Sequence, residues 1–386
     1  MDTKTVQTST ELSFLITASK VVLSKKETQN LELILEQDSL DKKELIALAY
    51  RHAVLPLLYK TLKTLAPQHP LTGILKPYYM SIVQKNMAMS SQLISVSKLL
   101  ETHDIPILSF KGAVLSELVY GDISHRQYGD LDVLIHKKDT LKMMTLLENE
   151  GYIPEIALQN ASKKTFLKAV NVLGFHTPSK KTFIEVHWEL LSKNYAITWD
   201  EKNLWKDITH IDINQHRLNT LSAEHTLLYL CTHGSKHLYE RLSWVCDVDR
   251  LIRTQKSLDW TSIIFTSKKM GMHRMVLLSL SLCQTLLDLP LPQEIEDAIH
   301  KDKKVSILVD SIIALHFTNA KKETKNHSTF TLLWHMREKL SDKLRFTYLA
   351  LFHPKFDDFK MIQLPNYLSF LYAVVRPTRL GMKYFK

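Results

Sequence analysis

Apolar residues recur three and four positions apart through most of the first hundred residues. LELILEQ, ELIALAYRHAVLPLLYKTLKTL and PYYMSIVQKNMAMSSQLISVSKLLETH all carry this spacing, the period of one helix face. Ser9 and Thr10, just before Glu11, supply a cap for the first helix. The period then changes. IPILSF (105–110) is a short apolar run that predicts a buried strand. KGAVLSELVY returns to helical spacing, GDISHRQYG is turn-rich, and DLDVLIH (130–136) alternates like a second strand. KKDTLKMMTLLENEGY predicts an amphipathic helix ended at Gly151. NVLGFHT and KTFIEVHWEL predict two more strands joined by a turn at Pro178 to Lys181. After about residue 200 helical spacing resumes. AEHTLLYLCTHGSKHLYERLSWVCDVDRLIRT reads as one long helix or two abutting ones, and AKKETKNHST (320–329) reads as an exposed linker. The prediction is an α+β chain, with a small mixed sheet embedded between N-terminal helices and a larger C-terminal helical domain. The expected divisions are 1–100, 101–195 and 196–386.

Composition agrees with that picture. The chain has 386 residues, long enough for two cores, and only 9 glycines and 12 prolines, so long helices are the expected material. A net charge of +10 suits a polyanionic partner, whether nucleotide phosphates, RNA or an anionic membrane face, and equally suits a lysine-rich soluble surface. Cys231, Cys246 and Cys283 form no CxxC pair, which argues against a disulfide framework or zinc knuckle. The N-terminus lacks signal-peptide character, and no uncharged run reaches spanning length. The expected location is the cytoplasm. The C-terminal YLSFLYAVVRPTRLGMKYFK, with Arg376, Arg379, Lys383 and Lys386, admits a membrane-surface helix, but docking of this tail on the body is expected instead.

The chemistry concentrates between residues 110 and 187. Asp130 and Asp132 stand at i and i+2, which in a strand is one face. Two carboxylates so close need a cation, and Mg²⁺ (or Mn²⁺) shared with substrate phosphates is the usual one. Glu185 lies in FIEVHWEL and completes a three-carboxylate set if that strand pairs beside DLDVLI. Gly112 opens a helix straight after a strand, which suits a phosphate chain, with Lys111 and Arg126 as neighbouring cations. Taken singly, each element reads equally as a strand end, a helix start or an exposed acid. Two other readings use the same residues: a D-x-D glycosyltransferase taking a nucleotide-sugar, and a non-catalytic nucleotide- or RNA-binding module.

These motifs resemble the nucleotidyltransferase superfamily of the DNA polymerase β type. More narrowly, LSFKGAVLSELVYGDISHRQYGDLDVLI, FIEVHWEL and LLYLCTHGSKHLYERLSWVCDVDRLIR are similar to a bacterial family of uncharacterised nucleotidyltransferases, over roughly 80–260. The resemblance implies transfer of a nucleoside monophosphate from an NTP to an acceptor that the sequence does not name. It implies Asp130, Asp132 and Glu185 as metal-holding catalytic acids, and Lys111, Gly112, Ala113 and Arg126 around the phosphates. Ala113 stands where the superfamily usually has serine, so a hydroxyl contact is missing. The resemblance also turns His233, Lys236 and His237 towards base or phosphate, and gives His187 a role in orienting the acceptor or as a base. Read from residues alone, His233 and His237 sit one helical turn apart, as a packed pair or as zinc ligands lacking a third partner. His187 reads equally as a satisfied core histidine.

Overall fold

The computed structural model describes residues 8–318 and 329–384. The polar 320–328 stretch, with the Asn326-His327-Ser328 tripeptide, and Lys386 lie outside the described residues. Helices form where the 3.6-residue period was read, and their starts are chemically explicit. Ser9 caps Thr10–Ala18 by accepting from the Leu12 amide, and Ser24 with Glu27 closes a capping box on Lys25–Glu36.

The chain's mixed sheet contains β1 (Ile107–Ser109), β2 (Leu131–Ile135), β3 (Ile153–Pro154), β4 (Val172–His176) and β5 (Phe183–His187), in the spatial order β1-β2-β5-β4-β3. β2 and β5 run parallel; the other neighbours are antiparallel. Every residue of β2 is buried. The architecture is therefore α+β, as the alternation of periods predicts. Two short elements escaped that reading. β3 is only two residues long, too short for a pattern. β6 (Ile208–Ile213) and β7 (His216–Leu221) form a hairpin where helix was expected. Its turn residues Asn214 and Gln215 both take positive φ, the geometry of a tight two-residue hairpin turn. The Asn219 side chain ties β7 to the Ile107 carbonyl of β1 at 3.1 Å.

Two apolar cores flank the functional region. One joins N-terminal side chains such as Phe14, Leu58 and Leu75 to Leu228, Val245, Leu278 and Ile312 of the later helices. The other lies among the sheet, the long helix Pro70–Glu101 and the C-terminal residues Phe359 and Tyr372. Tyr372 is buried in that core and the Arg376 Nε donates to the Ala350 carbonyl at 3.2 Å, so the tail does dock on the body. Among the described residues, no helix is long and apolar enough to cross a membrane. The long 223–254 pattern resolves into two helices, Ala223–Lys236 and Leu242–Thr254. Leu238 and Tyr239 break it with positive φ.

Candidate active site

Strand register assembles the acids. Asp132 of β2 pairs with Glu185 of β5, and Leu134 pairs with His187 two residues on. Side chains alternate along a strand, so Asp132, Glu185 and His187 share one face. His187 Nε2 lies 3.2 Å from Asp132 Oδ1 and 3.3 Å from Glu185 Oε2. One ligand atom from each of the three falls within 4.8 Å of the others. Asp132 is 2% exposed, and its Oδ2 has no hydrogen-bond partner. A buried carboxylate oxygen without a donor is costly. A bound cation would satisfy it, so these residues fit a metal ion. Asp130 stands just before β2. Burial and the charge of Asp132 raise its pKa, Lys111 opposing them. It lies outside the three-residue group, whose third member is His187.

Lys111 is the nearest cation. Its Nζ lies 2.8 Å from Asp132 Oδ1. Burial works against its charge, but Asp132 and Tyr229 outweigh burial and raise its pKa. In turn, burial would raise the Asp132 pKa, yet Lys111 and His187 hold it well below the usual carboxylate range. Lys111 precedes the helix Gly112–Tyr120, whose first residue has φ +58°. Only glycine adopts that backbone without strain. Ala113 is fully buried in the second core, so its methyl group packs with apolar residues.

Arg126 is held from behind. Its Nε donates to both Asp247 oxygens, at 3.0 and 3.2 Å, and the Tyr120 hydroxyl donates to Asp247 Oδ1 at 2.9 Å. Asp247 is completely buried. Asn86 Nδ2 donates to the carbonyls of Ile123 and Arg126, fixing the loop that leads to Asp130. Asp247 lies in the stretch RLSWVCD, part of the segment that carries the family resemblance. Asn86 gives no local signal, because it is a lone polar residue in a helical pattern.

An aromatic wall joins the sheet to the histidine-bearing helix. Phe110 meets His187 and Tyr229 edge-on, with ring centroids 5.3 and 5.0 Å apart. Tyr229 stacks on His233, which touches His237 and Trp244. Burial and Lys111 push the His233 pKa well down, and burial with Lys236 takes His237 to about 4. Among the described residues, this pair has no third ligand in a metal-binding group. Lys236 Nζ sits 5.3 Å from the Tyr195 ring centre, and burial, then Lys111, lowers its pKa against the opposing charges of Glu185 and Asp132. Gly234 stands where a zincin glutamate would be, for a steric reason: a Cβ there would lie 2.3 Å from Tyr239 Cε1. Tyr229 and Trp244 are site-lining residues that residue patterns alone did not single out.

The chain matches no curated protein. Among solved structures it is similar to a lincosamide antibiotic adenylyltransferase with lincomycin bound, at 15% identity over 42% of this chain and 94% of that one, with a TM-score of 0.30. It is also similar to an antigenic nucleotidyltransferase-like protein from Paracoccidioides brasiliensis, at 12% identity over 57% and 91% of the two chains, with a TM-score of 0.31. A family model described as "Uncharacterised nucleotidyltransferase" matches residues 38–288, most of the chain, and the protein therefore belongs to that nucleotidyltransferase family.

Proposed function

We propose that this nucleotidyltransferase moves a nucleoside monophosphate from an NTP to an acceptor hydroxyl, with Mg²⁺ or Mn²⁺ bound at Asp132 and Glu185 and with Asp130 close by. The observation that carries the reading is the Asp132–Glu185 register pair with its orphaned buried oxygen. In the reaction the acceptor oxygen bonds to the α-phosphorus. The bond from that phosphorus to the oxygen bridging to the β-phosphate breaks, and pyrophosphate leaves with the electron pair. A divalent ion there would lower the charge on the phosphates and on the attacking oxygen.

The chain's own groups do the rest. Glu185, one third exposed on its side chain, is the acid open to the cleft and takes the acceptor proton. Lys111 presents its ammonium at the edge of the acid pair, where it attracts the triphosphate, and Gly112 lets that chain approach the helix start. Lys236 adds a second cation from the helical side. The half-buried His233 and His237, kept neutral, offer hydrogen bonds to base or phosphate and exclude water. Arg126, paired with Asp247, holds the approach to Asp130 and adds positive potential from behind.

The test is calorimetric titration of each NTP, with Mg²⁺ or Mn²⁺, into wild type and the double variant Asp130→Asn/Asp132→Asn. Metal-dependent binding that vanishes in the variant is expected. Absence of NTP binding with either ion would overturn the reading in favour of a nucleotide-sugar enzyme or a binding module.

A further inference from the structure

We propose that His187 is itself a ligand of this metal centre, so that the site is a mixed one of two carboxylates and one imidazole that selects Mn²⁺ over Mg²⁺. The inference rests on the reading of Asp132 and Glu185 as a metal site and adds a third donor of different chemistry. Geometry is the first support. His187 Nε2 stands 3.2 Å from one carboxylate and 3.3 Å from the other, on the same sheet face. Donors about 2.1 Å from one ion and at right angles to each other lie about 3.0 Å apart, so His187 Nε2 already has the spacing of a neighbouring ligand to each carboxylate, and all three residues offer ligand atoms within 4.8 Å of one another.

The ring is also held in place. His187 is 6% exposed and packs edge-on against Phe110, with an interplanar angle of 81°. It cannot turn into solvent without leaving Glu185 and Asp132. The acid expected to complete the set, Asp130, is not in the three-atom group, whereas His187 is. Asp132 Oδ2 adds a lone pair that no protein donor engages.

Donor chemistry gives the selectivity. Mg²⁺ strongly prefers oxygen ligands, whereas imidazole suits transition-series dications. Replacing one carboxylate by an imidazole also leaves the site one negative charge poorer, which disfavours the harder ion. His187 Nδ1 has no hydrogen-bond partner. A ligating histidine is usually strengthened through its second nitrogen; without that support the ion is exchangeable rather than permanently held.

The test uses Mn²⁺ alone on the full chain. Pulsed electron paramagnetic resonance of the Mn²⁺-loaded wild type should show modulation from a directly bound ¹⁴N nucleus, and this does not depend on any variant folding. In His187→Gln the modulation should disappear. Mn²⁺ affinity should fall at least about tenfold, with Mg²⁺ affinity changed by less than about threefold. Mn²⁺ that binds, is lost in Asp132→Asn, and shows no nitrogen coupling would overturn the imidazole ligand while leaving the carboxylate metal site standing. Mn²⁺ that does not bind to wild type at all would overturn both.

Discussion

Replacing Asp247 by Asn should be among the most damaging single changes near the site, although the residue need not touch substrate. Asp247 is completely buried and receives three hydrogen bonds, two from Arg126 Nε and one from the Tyr120 hydroxyl. Arg126 is 8% exposed. Asparagine keeps the shape and an acceptor for Tyr120 but removes the negative charge, leaving a guanidinium in the interior without its counter-ion. Breaking a buried pair from one side destabilises by about 3–5 kcal/mol, a large part of the roughly 5–15 kcal/mol that holds a domain folded. The reverse change, Arg126→Met, strands the carboxylate and should be of similar size. Removing both charges in Arg126→Met/Asp247→Leu should be milder than either single change, because no uncompensated charge remains. Urea unfolding with a common slope reads all four proteins. A loss below about 1 kcal/mol for Asp247→Asn would be the size of an exposed pair and would refute the buried, committed state of Arg126. Since Arg126 lies on the loop that leads to Asp130, the variants that stay folded should also bind NTP more weakly.

Other expectations follow from the same structure. Asp132→Asn should reduce pyrophosphate release by at least about a hundredfold with far-UV circular dichroism unchanged; near-normal turnover would remove Asp132 from the chemistry. His52 is completely buried, its Nδ1 accepts from the Leu242 amide, and burial, then Arg51, lowers its pKa to about 4. The unfolded chain therefore binds the extra proton between about pH 6.5 and 4. The contribution is present above that window and fades as pH falls through it, by up to about 3 kcal/mol. Melting curves at stepped pH should show a shallower decline for His52→Gln than for wild type, and equal slopes would refute the assignment. Gly234→Ala should destabilise by about 1–3 kcal/mol through overpacking on Tyr239. Gly73→Ala, with nothing within 4 Å of the new methyl group, should stabilise by about 0.5–1 kcal/mol; the same sign for both in thermal melts would refute the steric reading.

The parts of the site legible in sequence are those whose geometry is local. Asp132 lies on β2, where the alternation of DLDVLIH predicts a strand, whereas Asp130 falls just before that strand and outside the group of Asp132, Glu185 and His187; Gly112 opens the helix that follows β1, with φ +58°. The pairing of Glu185 with Asp132 was a condition in sequence and became a fact of register, because β5 runs parallel to β2 only after the chain crosses β3 and β4. Such a pairing is decided by the sheet, not by either strand. The missed pieces share one cause. Asn86 reaches carbonyls 37 and 40 positions on, and Tyr229 reaches back to Phe110, through side-chain contacts that leave no periodic trace. The β6–β7 hairpin hid for another reason: its Asn214-Gln215 turn lacks the glycine that usually announces two consecutive positive φ angles.

The same distinction explains why the carboxylate pair survives burial. Asp132 sits on a strand buried along its whole length, a position in which a lone charge would be expelled or protonated. It remains an anion because two cation-bearing groups reach it from separate elements, Lys111 from the start of a helix and His187 from the neighbouring strand. Each of those groups is itself buried, and Asp132 raises its pKa against that burial. The cluster is therefore mutually dependent. An incoming metal–nucleotide complex does not enter a bare acidic hole but a group in which Lys111 and His187 already contact the carboxylates and can exchange those contacts for substrate or metal contacts. That places the basicity at residue 111 under the same physical demand as the acidity at residue 132. Lys111→Ala should therefore weaken nucleotide binding and lower melting temperature together, whereas Lys236→Ala, whose side chain lies over the Tyr195 ring and, among the described residues, pairs with no carboxylate, should weaken binding without that loss of stability. Titration calorimetry paired with thermal melts checks both, and a Lys111→Ala protein as stable as wild type would show that Asp132 does not need its cation.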